Sequence, residues 1–268
     1  GILTQVSIGK LFLAGIVPAF LITLLFVAAI GVYCRLDPGQ ASPGQRFTLR
    51  QALAAFAEIW ETLLIFVLVM GGMFFGIFTP TKAGAVGSCL LLIIVLLQRK
   101  LSWSNFLKAV NDTLNVSCMV IMLVTGATIF GHFLALSRLS MNLASLVAGL
   151  DWPAWSVMGV ICAIYLVAGC FIDALALITL TIPIFFPIVT DLGYDPVWFG
   201  VIIVLITQMG IITPPVGVNV YIVKGIAPEI PLEDIFIGVA PFLIALVLGV
   251  ALIIAYPSIA TFLPALVR

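Results

Sequence analysis

Charge is the scarcest feature of this 268-residue sequence: only 8% of its residues are Asp, Glu, Lys or Arg, and His132 is its single histidine. Soluble domains carry about 25% charged residues, whereas 63% of this chain is hydrophobic. The formal net charge is zero, so nothing indicates a nucleic-acid partner. These shortages exclude an ordinary soluble domain and indicate an integral membrane protein.

Motifs of catalysis and nucleotide binding are missing as well. The sequence has no GxxxxGK[ST] pattern, no HExxH pair and no GxSxG turn, so we predict neither ATP binding by a P-loop nor a hydrolase. The five cysteines form no CxxC pair and lie in or beside apolar segments, where small packing residues are expected. We therefore predict that the protein is not an enzyme and carries no organic cofactor.

The apolar residues form continuous runs rather than alternating patterns, which favours an all-α transmembrane helix bundle over a barrel. Spans of the length a bilayer requires are predicted at Ile8 to Tyr33, from about Leu63, at Ala83 to Leu97, at Leu114 to Leu136 and at Val239 to Ile254. A helix along the membrane surface is predicted for the amphipathic stretch LRQALAAFAEIWETL, and a second amphipathic stretch, SWSNFLKAVNDT, leads into the span at Leu114. A helix start with Thr79 as its cap and Pro80 in its first position is predicted in FTPTKAG.

The apolar stretch from Ala154 to Val189 is too long for one span, yet it has no polar turn where two spans would meet. We predict a re-entrant hairpin that turns near the midplane at Gly169 to Ala174. Backbone that is irregular at this depth is tolerated only where protein buries it or where it lines a wet cavity. Thr179 and Thr181, in the second arm, are weaker candidates for the substrate pathway.

Asp173 lies at the predicted hairpin tip and is the acidic residue farthest from any membrane edge. An ionised carboxylate at that depth is costly, which makes it a candidate for ion binding. The alternative is a structural carboxylate that accepts hydrogen bonds from backbone amides at a helix start. The two roles can coexist, because a carboxylate can brace the tip beside a bound cation.

A second interruption is predicted in GIITPPVGVN, within the apolar run from Val197 to Ile226. Pro214 and Pro215 lack N–H groups and clash with the preceding turn, so the helix should break at about Ile212 to Val216. The freed carbonyls, with the side-chain oxygens of Thr213 and Asn219, are hard ligands that suit an alkali cation. A plain proline kink is the alternative.

Lysine and arginine positions predict the orientation. The predicted cytoplasmic side has more of them than the outer side, so the hairpin opens outward and the loop TDLGYDP lies outside. The cytoplasmic group is Arg35, Arg46, Arg50, Arg99, Lys100, Lys108 and Lys224, and the outer group is Lys10, Lys82, Arg138 and Arg268.

A resemblance is carried by GGMFFGIFTPTKAGAVG, GCFIDALALITLTIPIFFPI, DPVWFGVIIVLITQMGIITPPVGVNVYIVKGIAP and PLEDIFIGVAPFL. Over essentially the whole chain, the sequence resembles the large membrane subunit (DctM-like) of TRAP transporters, the tripartite ATP-independent periplasmic transporters. The resemblance implies a multi-pass protein of the bacterial inner membrane that couples organic-anion uptake to Na⁺. C4-dicarboxylates, sialic acid and similar carboxylates are the implied cargo. A small TRAP membrane subunit and a periplasmic substrate-binding protein are the implied partners.

The resemblance also implies two inverted repeats, of which this chain, starting at Gly1, would hold the second and the end of the first. The family's ion site would fall on Gly169, Asp173, Thr213, Pro214, Pro215, Gly217 and Asn219.

Four parts of the chain are predicted. They are a span with a cytoplasmic loop and interfacial helix (1–62), scaffold and transport spans (63–150), the hairpin with the broken helix (151–226) and a terminal span (227–268). The alternatives to this function are a stand-alone anion transporter of the same broad fold, a membrane scaffold without transport, and a channel. A scaffold gains nothing from a buried carboxylate and a broken helix.

Overall fold

The computed structural model of the chain describes Gly1 and residues 3–36, 49–99, 101–138, 142 and 152–266. Within these ranges the chain forms ten α-helices and no strand, so the predicted all-α class is confirmed. The helices are α1 (Ile8–Leu36), α2 (Leu49–Phe74), α3 (Pro80–Leu97), α4 (Trp103–Ser137), α5 (Ala154–Gly169), α6 (Ala174–Asp191), α7 (Pro196–Ile212), α8 (Val218–Ile226), α9 (Leu232–Ala255) and α10 (Ser258–Leu266).

Five of the described helices are long and apolar enough to cross a membrane: α1, α3, α4, α6 and α9. Three shorter apolar helices accompany them, formed by the second part of α2 (Ile59–Phe74), by α5 and by α7. Helices of this length and hydropathy confirm a multi-pass membrane bundle.

One boundary predicted from the sequence is wrong. The amphipathic stretch and the span near Leu63 form one continuous helix, α2. SWSNFLKAVNDT leads into its span within α4, as predicted. Neither junction contains proline, glycine or another residue that stops the i→i−4 hydrogen bonds, so a change from amphipathic to apolar sequence does not end the helix. The helix α10 was not predicted, and Pro257 separates it from α9.

The chain divides into two compact units, one formed by residues 1–36 and 119–268 and the other by 37–118. In the second unit, α2 packs against α3, and the Gln98 side-chain amide donates to the Glu61 carboxylate. The Thr79 hydroxyl accepts from the Lys82 amide at 3.4 Å, with Pro80 as the first helical residue, so the predicted helix start is confirmed.

The first unit is built around α7, which packs against α1, α5, α6 and α9. Nine of its 17 residues are buried, as expected for a helix that is apolar on all sides. The core includes Trp198, Phe199, Ile202 and Tyr165. A central buried helix therefore carries the segment that the sequence predicted to break.

Contacts within the first unit fix which helix ends lie together. The Trp198 indole N–H donates to the Ile253 carbonyl at 2.9 Å, so the start of α7 lies beside the end of α9. Leu11, near the start of α1, lies against Gly200. At the other end of the unit, Phe26 and Phe242 form an edge-to-face pair at 5.3 Å. The start of α1, the α6–α7 loop and the end of α9 thus share one end, as the predicted topology requires.

The α6–α7 loop carries Tyr194, whose ring stacks on Trp198 at 4.9 Å between centroids. Burial raises the pKa of the Tyr194 phenol, so this group stays uncharged. The absolute orientation of this end, and the four-part division of the chain, stay predictions.

Candidate functional site: a helical hairpin seated on a broken helix

The predicted hairpin is present as α5 and α6, joined by a turn at Cys170–Asp173. The amides of Phe171 and Ile172 both donate to the Ala168 carbonyl, which closes the turn at 3.0 and 2.9 Å. The two arms are tied together by a hydrogen bond between the Tyr165 and Thr181 hydroxyls. The turn lies where the sequence predicted it, and its re-entrant placement in the membrane stays a prediction.

The threonines proposed for the substrate pathway are bonded within the hairpin. Thr179 donates to the Leu175 carbonyl at 2.6 Å, and Thr181 lies 2.7 Å from the Leu177 carbonyl. In such bonds the hydroxyl donates its proton to a carbonyl of the same helix, so the hydroxyl oxygen remains available as an acceptor. A role of either residue toward substrate stays a prediction.

Asp173 is the cap of α6. One of its carboxylate oxygens accepts from the Leu175 amide at 3.0 Å and from the Ala176 amide at 3.4 Å. An acidic cap at a helix N-terminus satisfies amides that have no helical partner and complements the helix dipole. The structural role considered for this carboxylate is therefore observed, and its role toward a cation stays a prediction.

The predicted break is confirmed, displaced by one residue. Helix α7 ends at Ile212 and α8 begins at Val218, with Thr213–Gly217 between them. The peptide bond between Pro214 and Pro215 is cis. Because neither proline can donate a backbone hydrogen bond, the segment cannot continue the helical ladder.

Two residues of the break have defined structural roles. The Thr213 hydroxyl donates to the Met209 carbonyl at 2.6 Å, and the Thr213 amide donates to the Gly210 carbonyl at 3.1 Å. Gly217 has φ = 59° and lies under the Phe236 ring, where a Cβ atom would come within 2.9 Å of a ring carbon. Both the backbone angle and the close approach require glycine there.

The hairpin turn and the broken helix meet through main chain. A Cβ atom placed on Gly210 would lie 2.7 Å from the Gly169 Cα and 2.6 Å from its carbonyl carbon. Both glycines are buried. We call this contact the glycine seat. The sequence placed Gly169 in the site, whereas Gly210 was missed, although the flanking glycine in GIITPPVGVN was a usable signal.

The seat brings together helix ends of the same polarity. Gly169 is the last residue of α5, and Gly210 lies in the last turn of α7. Helix C-terminal ends carry unpaired carbonyls and partial negative charge. After short turns, α6 and α8 begin with N-terminal ends, which present amide donors and partial positive charge. The site can therefore offer carbonyls to a cation and amides to an anion.

Side-chain oxygens complete this donor set. Asn219 is exposed in the first turn of α8, and Thr213 ends α7. Among the described residues, no group of three His, Cys, Asp or Glu side chains is placed to hold a metal ion. The oxygens at the break are those of carbonyls, a hydroxyl and an amide.

Lys224 holds the far end of helix α8. From the sequence, this residue contributed only to the predicted orientation of the protein in the membrane. Its ammonium group donates to the carbonyls of Pro228 and Ile230, each at 2.7 Å. These bonds tie the end of α8 to the loop before α9. With Gly217 under Phe236, this short helix is anchored beside α9 at both ends.

Comparisons with known proteins agree with this architecture. A family model described as tripartite ATP-independent periplasmic transporter, DctM component, matches residues 1–259. The chain is 32% identical over 262 residues to a C4-dicarboxylate TRAP transporter large permease protein of Pseudomonas aeruginosa. It is 38% identical over 264 residues to the isethionate TRAP transporter permease protein DctMQ of Oleidesulfovibrio alaskensis. It is 32% identical over 267 residues to the sialic acid large permease protein SiaM of Vibrio cholerae.

These matches cover 97%, 98% and 99% of this chain, respectively. The chain spans 61% of the Pseudomonas protein, 41% of the Oleidesulfovibrio protein and 62% of the Vibrio protein. The family match and the apolar helices identify a multi-pass protein of the bacterial inner membrane. The chain belongs to the DctM family, the large permease proteins of TRAP transporters.

Proposed function

We propose that the complete subunit is a secondary active permease that couples the import of small organic anions to Na⁺. Family membership supports a transport role, and the names of the relatives support the class of cargo. C4-dicarboxylates, sialic acid and isethionate, the cargo of three relatives, are all organic acids that are anionic at neutral pH.

The observation that carries the proposal is the glycine seat between Gly169 and Gly210. It joins the hairpin tip to α7 directly before the break at Thr213–Gly217, so two helix C-terminal ends face one small region. Discontinuous helices in transporters use such ends, with unwound carbonyls, to coordinate coupling ions.

Na⁺ would be held by backbone carbonyls at the break, with the oxygens of Thr213 and Asn219 as further ligands. Pro214, Pro215 and Gly217 keep the segment out of a helix, which leaves its carbonyls available. Asp173 would contribute negative charge at the tip while capping α6. A cation bound between the carbonyl ends would stabilise the seated hairpin, because it offsets their mutual repulsion.

The cargo anion would be recognised by helix ends of the opposite, positive polarity. The N-terminal ends of α6 and α8 carry amide donors, which favour a carboxylate or sulfonate group. Release of Na⁺ would weaken the seat and allow the tip to move, which links ion binding to release of the anion. The complete subunit would work with a small membrane subunit and a periplasmic substrate-binding protein, as the tripartite description of the family supports.

The test is uptake by proteoliposomes that contain the complete subunit and its small partner, with the binding protein outside. Labelled succinate, sialic acid and isethionate are offered under an imposed Na⁺ gradient, and a K⁺ gradient of equal size is the control. We expect accumulation of one of these anions with Na⁺ only. Equal accumulation in K⁺, or none with any of the anions, would contradict the proposal.

A further inference from the structure

A groove with a volume of about 580 Å³ lies in the first unit between α4 and α6. Its α4 wall consists of Val124, Ala127, Thr128, Gly131 and His132, whose spacing places them on one helix face. Across from them, α6 contributes a wall that includes Pro183 and Pro187. Ligand sites for small molecules commonly have volumes of about 300–1,000 Å³, so this groove is large enough for a small organic acid.

Few polar groups line the groove. They are His132 and Thr128, one helical turn apart on α4, and Gln5 from the segment before α1. The Thr128 hydroxyl donates to the Val124 carbonyl at 2.7 Å, which leaves its oxygen as an acceptor. An imidazole offers one N–H donor when neutral and two when protonated.

The groove contains no carboxylate among the described residues that line it. Apart from His132, none of these residues, from 3–5, α4 or α6, has a titratable side chain. A neutral imidazole offers one N–H donor, so an anion in the groove would meet a hydrogen-bond donor and no negative side chain.

The groove is separate from the hairpin tip. Pro183 and Pro187 lie 10 and 14 residues after Asp173 in the sequence, which is roughly 15–20 Å along a helix. They belong to the half of α6 that leads to the α6–α7 loop, on the predicted outer side. An anion that approaches the tip from outside would meet this groove first.

His132 lies near the end of a candidate span, two residues before Leu134. It lines the groove, is exposed and has no role in the glycine seat. Its imidazole is therefore open to a ligand that enters the groove.

We propose that the α4–α6 groove is a second binding site for a small carboxylate, in which His132 donates a hydrogen bond to the anion. The site rests on the proposed transport function. It adds to that function a binding site on the predicted outer side, which the anion would reach before the hairpin tip. Thr128 contributes a smaller share, as an acceptor for a hydroxyl or protonated carboxyl group of the ligand.

The first test measures binding in the absence of transport. The complete subunit is labelled with nitrogen-15 histidine and placed in nanodiscs, and the His132 ring signal is assigned as the one lost in His132→Gln. We expect succinate to shift this signal until the site is saturated, because the imidazole N–H donates to the bound carboxylate. Succinamide, which is neutral, should leave the signal in place. No shift with succinate, or an equal shift with chloride at matched ionic strength, would overturn the site.

The second test measures transport. In proteoliposomes with the partner proteins, the apparent KM for the anion-loaded binding protein should rise about tenfold in His132→Leu, the loss of one hydrogen bond to a charged group. In His132→Gln, whose side-chain amide is still a donor, the KM should stay closer to the wild-type value, and kcat should change little in either variant. A wild-type KM in His132→Leu would overturn the proposal.

Thr128→Val has a matched control in Thr125→Val. Both threonines lie on α4 and donate to a carbonyl one turn earlier, but Thr125 does not line the groove. Binding of malate, which carries a hydroxyl group, should weaken about threefold in Thr128→Val and stay unchanged in Thr125→Val. A ring-signal response in nanodiscs without uptake of any anion by the wild type would reject the transport function alone. Normal uptake without that response would reject the groove alone.

Discussion

Asp173 combines two physical demands in one side chain. Its carboxylate accepts from the amides of Leu175 and Ala176 and so starts α6. The same group is the negative charge closest to the hairpin turn in sequence. The sequence could predict both roles, because an acidic residue before an apolar run reads equally as a cap and as an ion ligand. Only a substitution that separates the charge from the cap can distinguish them.

Asp173→Asn is such a substitution. Asn caps helices about as well as Asp, so folding, membrane levels and assembly with the small subunit should be normal. If the charge helps to hold Na⁺, uptake driven by a Na⁺ gradient should be largely lost. Asp173→Ala, as the control for the cap, should lower stability by about 1 kcal/mol as well. Wild-type Na⁺ dependence in Asp173→Asn would make the carboxylate purely structural.

Gly210 is the residue whose importance only the three-dimensional arrangement reveals. A Cβ atom on this residue would collide with the main chain of Gly169, which cannot rotate away as a side chain can. We expect Gly210→Ala to destabilise the protein by about 1–3 kcal/mol, the usual cost of overpacking, and to impair Na⁺-driven uptake. Thermal unfolding in detergent and proteoliposome uptake measure the two effects.

Gly159→Ala is the matched control for Gly210→Ala. Gly159 also lies inside an apolar helix, but a Cβ atom there would meet nothing within 4 Å. Because alanine favours a helix more than glycine does, this variant should be as stable as the wild type or more stable. Equal behaviour of the two alanine variants would show that the seat tolerates a side chain and that its close contact is unimportant.

Helices were predictable where a residue type forces a boundary. The prolines of GIITPPVGVN ended α7 within one residue of the predicted place, and Thr79 with Pro80 began α3 as predicted. The boundary inferred from hydropathy alone failed in α2, because the main chain continues its hydrogen bonds regardless of which side chains face lipid. The helical hairpin was predictable because its apolar stretch is too long for one span and has no polar turn where two spans would meet.

Removal of both prolines at the break tests the broken helix as an element. In the complete subunit, Pro214→Ala with Pro215→Ala restores two N–H donors, and we expect the segment to become more helical and the Na⁺ dependence of uptake to weaken. Pro241→Ala is the control, because Pro241 lies inside the continuous helix α9. Na⁺ dependence that matches Pro241→Ala would reduce the break to a kink without an ion role.

The chain as a whole has an orientation that packing alone cannot decide. Contacts place the start of α1, the α6–α7 loop and the end of α9 at one end of the first unit. Which end faces the periplasm rests on the distribution of lysine and arginine. The sequence could predict the family and the order of helices, whereas the seat depends on two residues 41 positions apart, which no local pattern connects.

Cysteine labelling tests the orientation. In a variant without the five native cysteines, Asp191→Cys in the α6–α7 region should react with an impermeant thiol reagent once the outer membrane is permeabilised. Asp191 is preferable to Gly193, whose φ of 83° a side chain would strain. Gly225→Cys, at the opposite end beside Lys224, should react only after the inner membrane is broken. The reverse pattern would invert the topology.

The glycine seat has a consequence for how such a protein can diversify. A contact made by main chain alone depends only on two positions remaining without side chains, and it is indifferent to the chemistry of the residues around it. Under the proposed transport function, side chains that meet the cargo can therefore change one by one while this contact between the hairpin and the broken helix is kept. Selectivity for the cargo and the contact between these two elements would then vary independently.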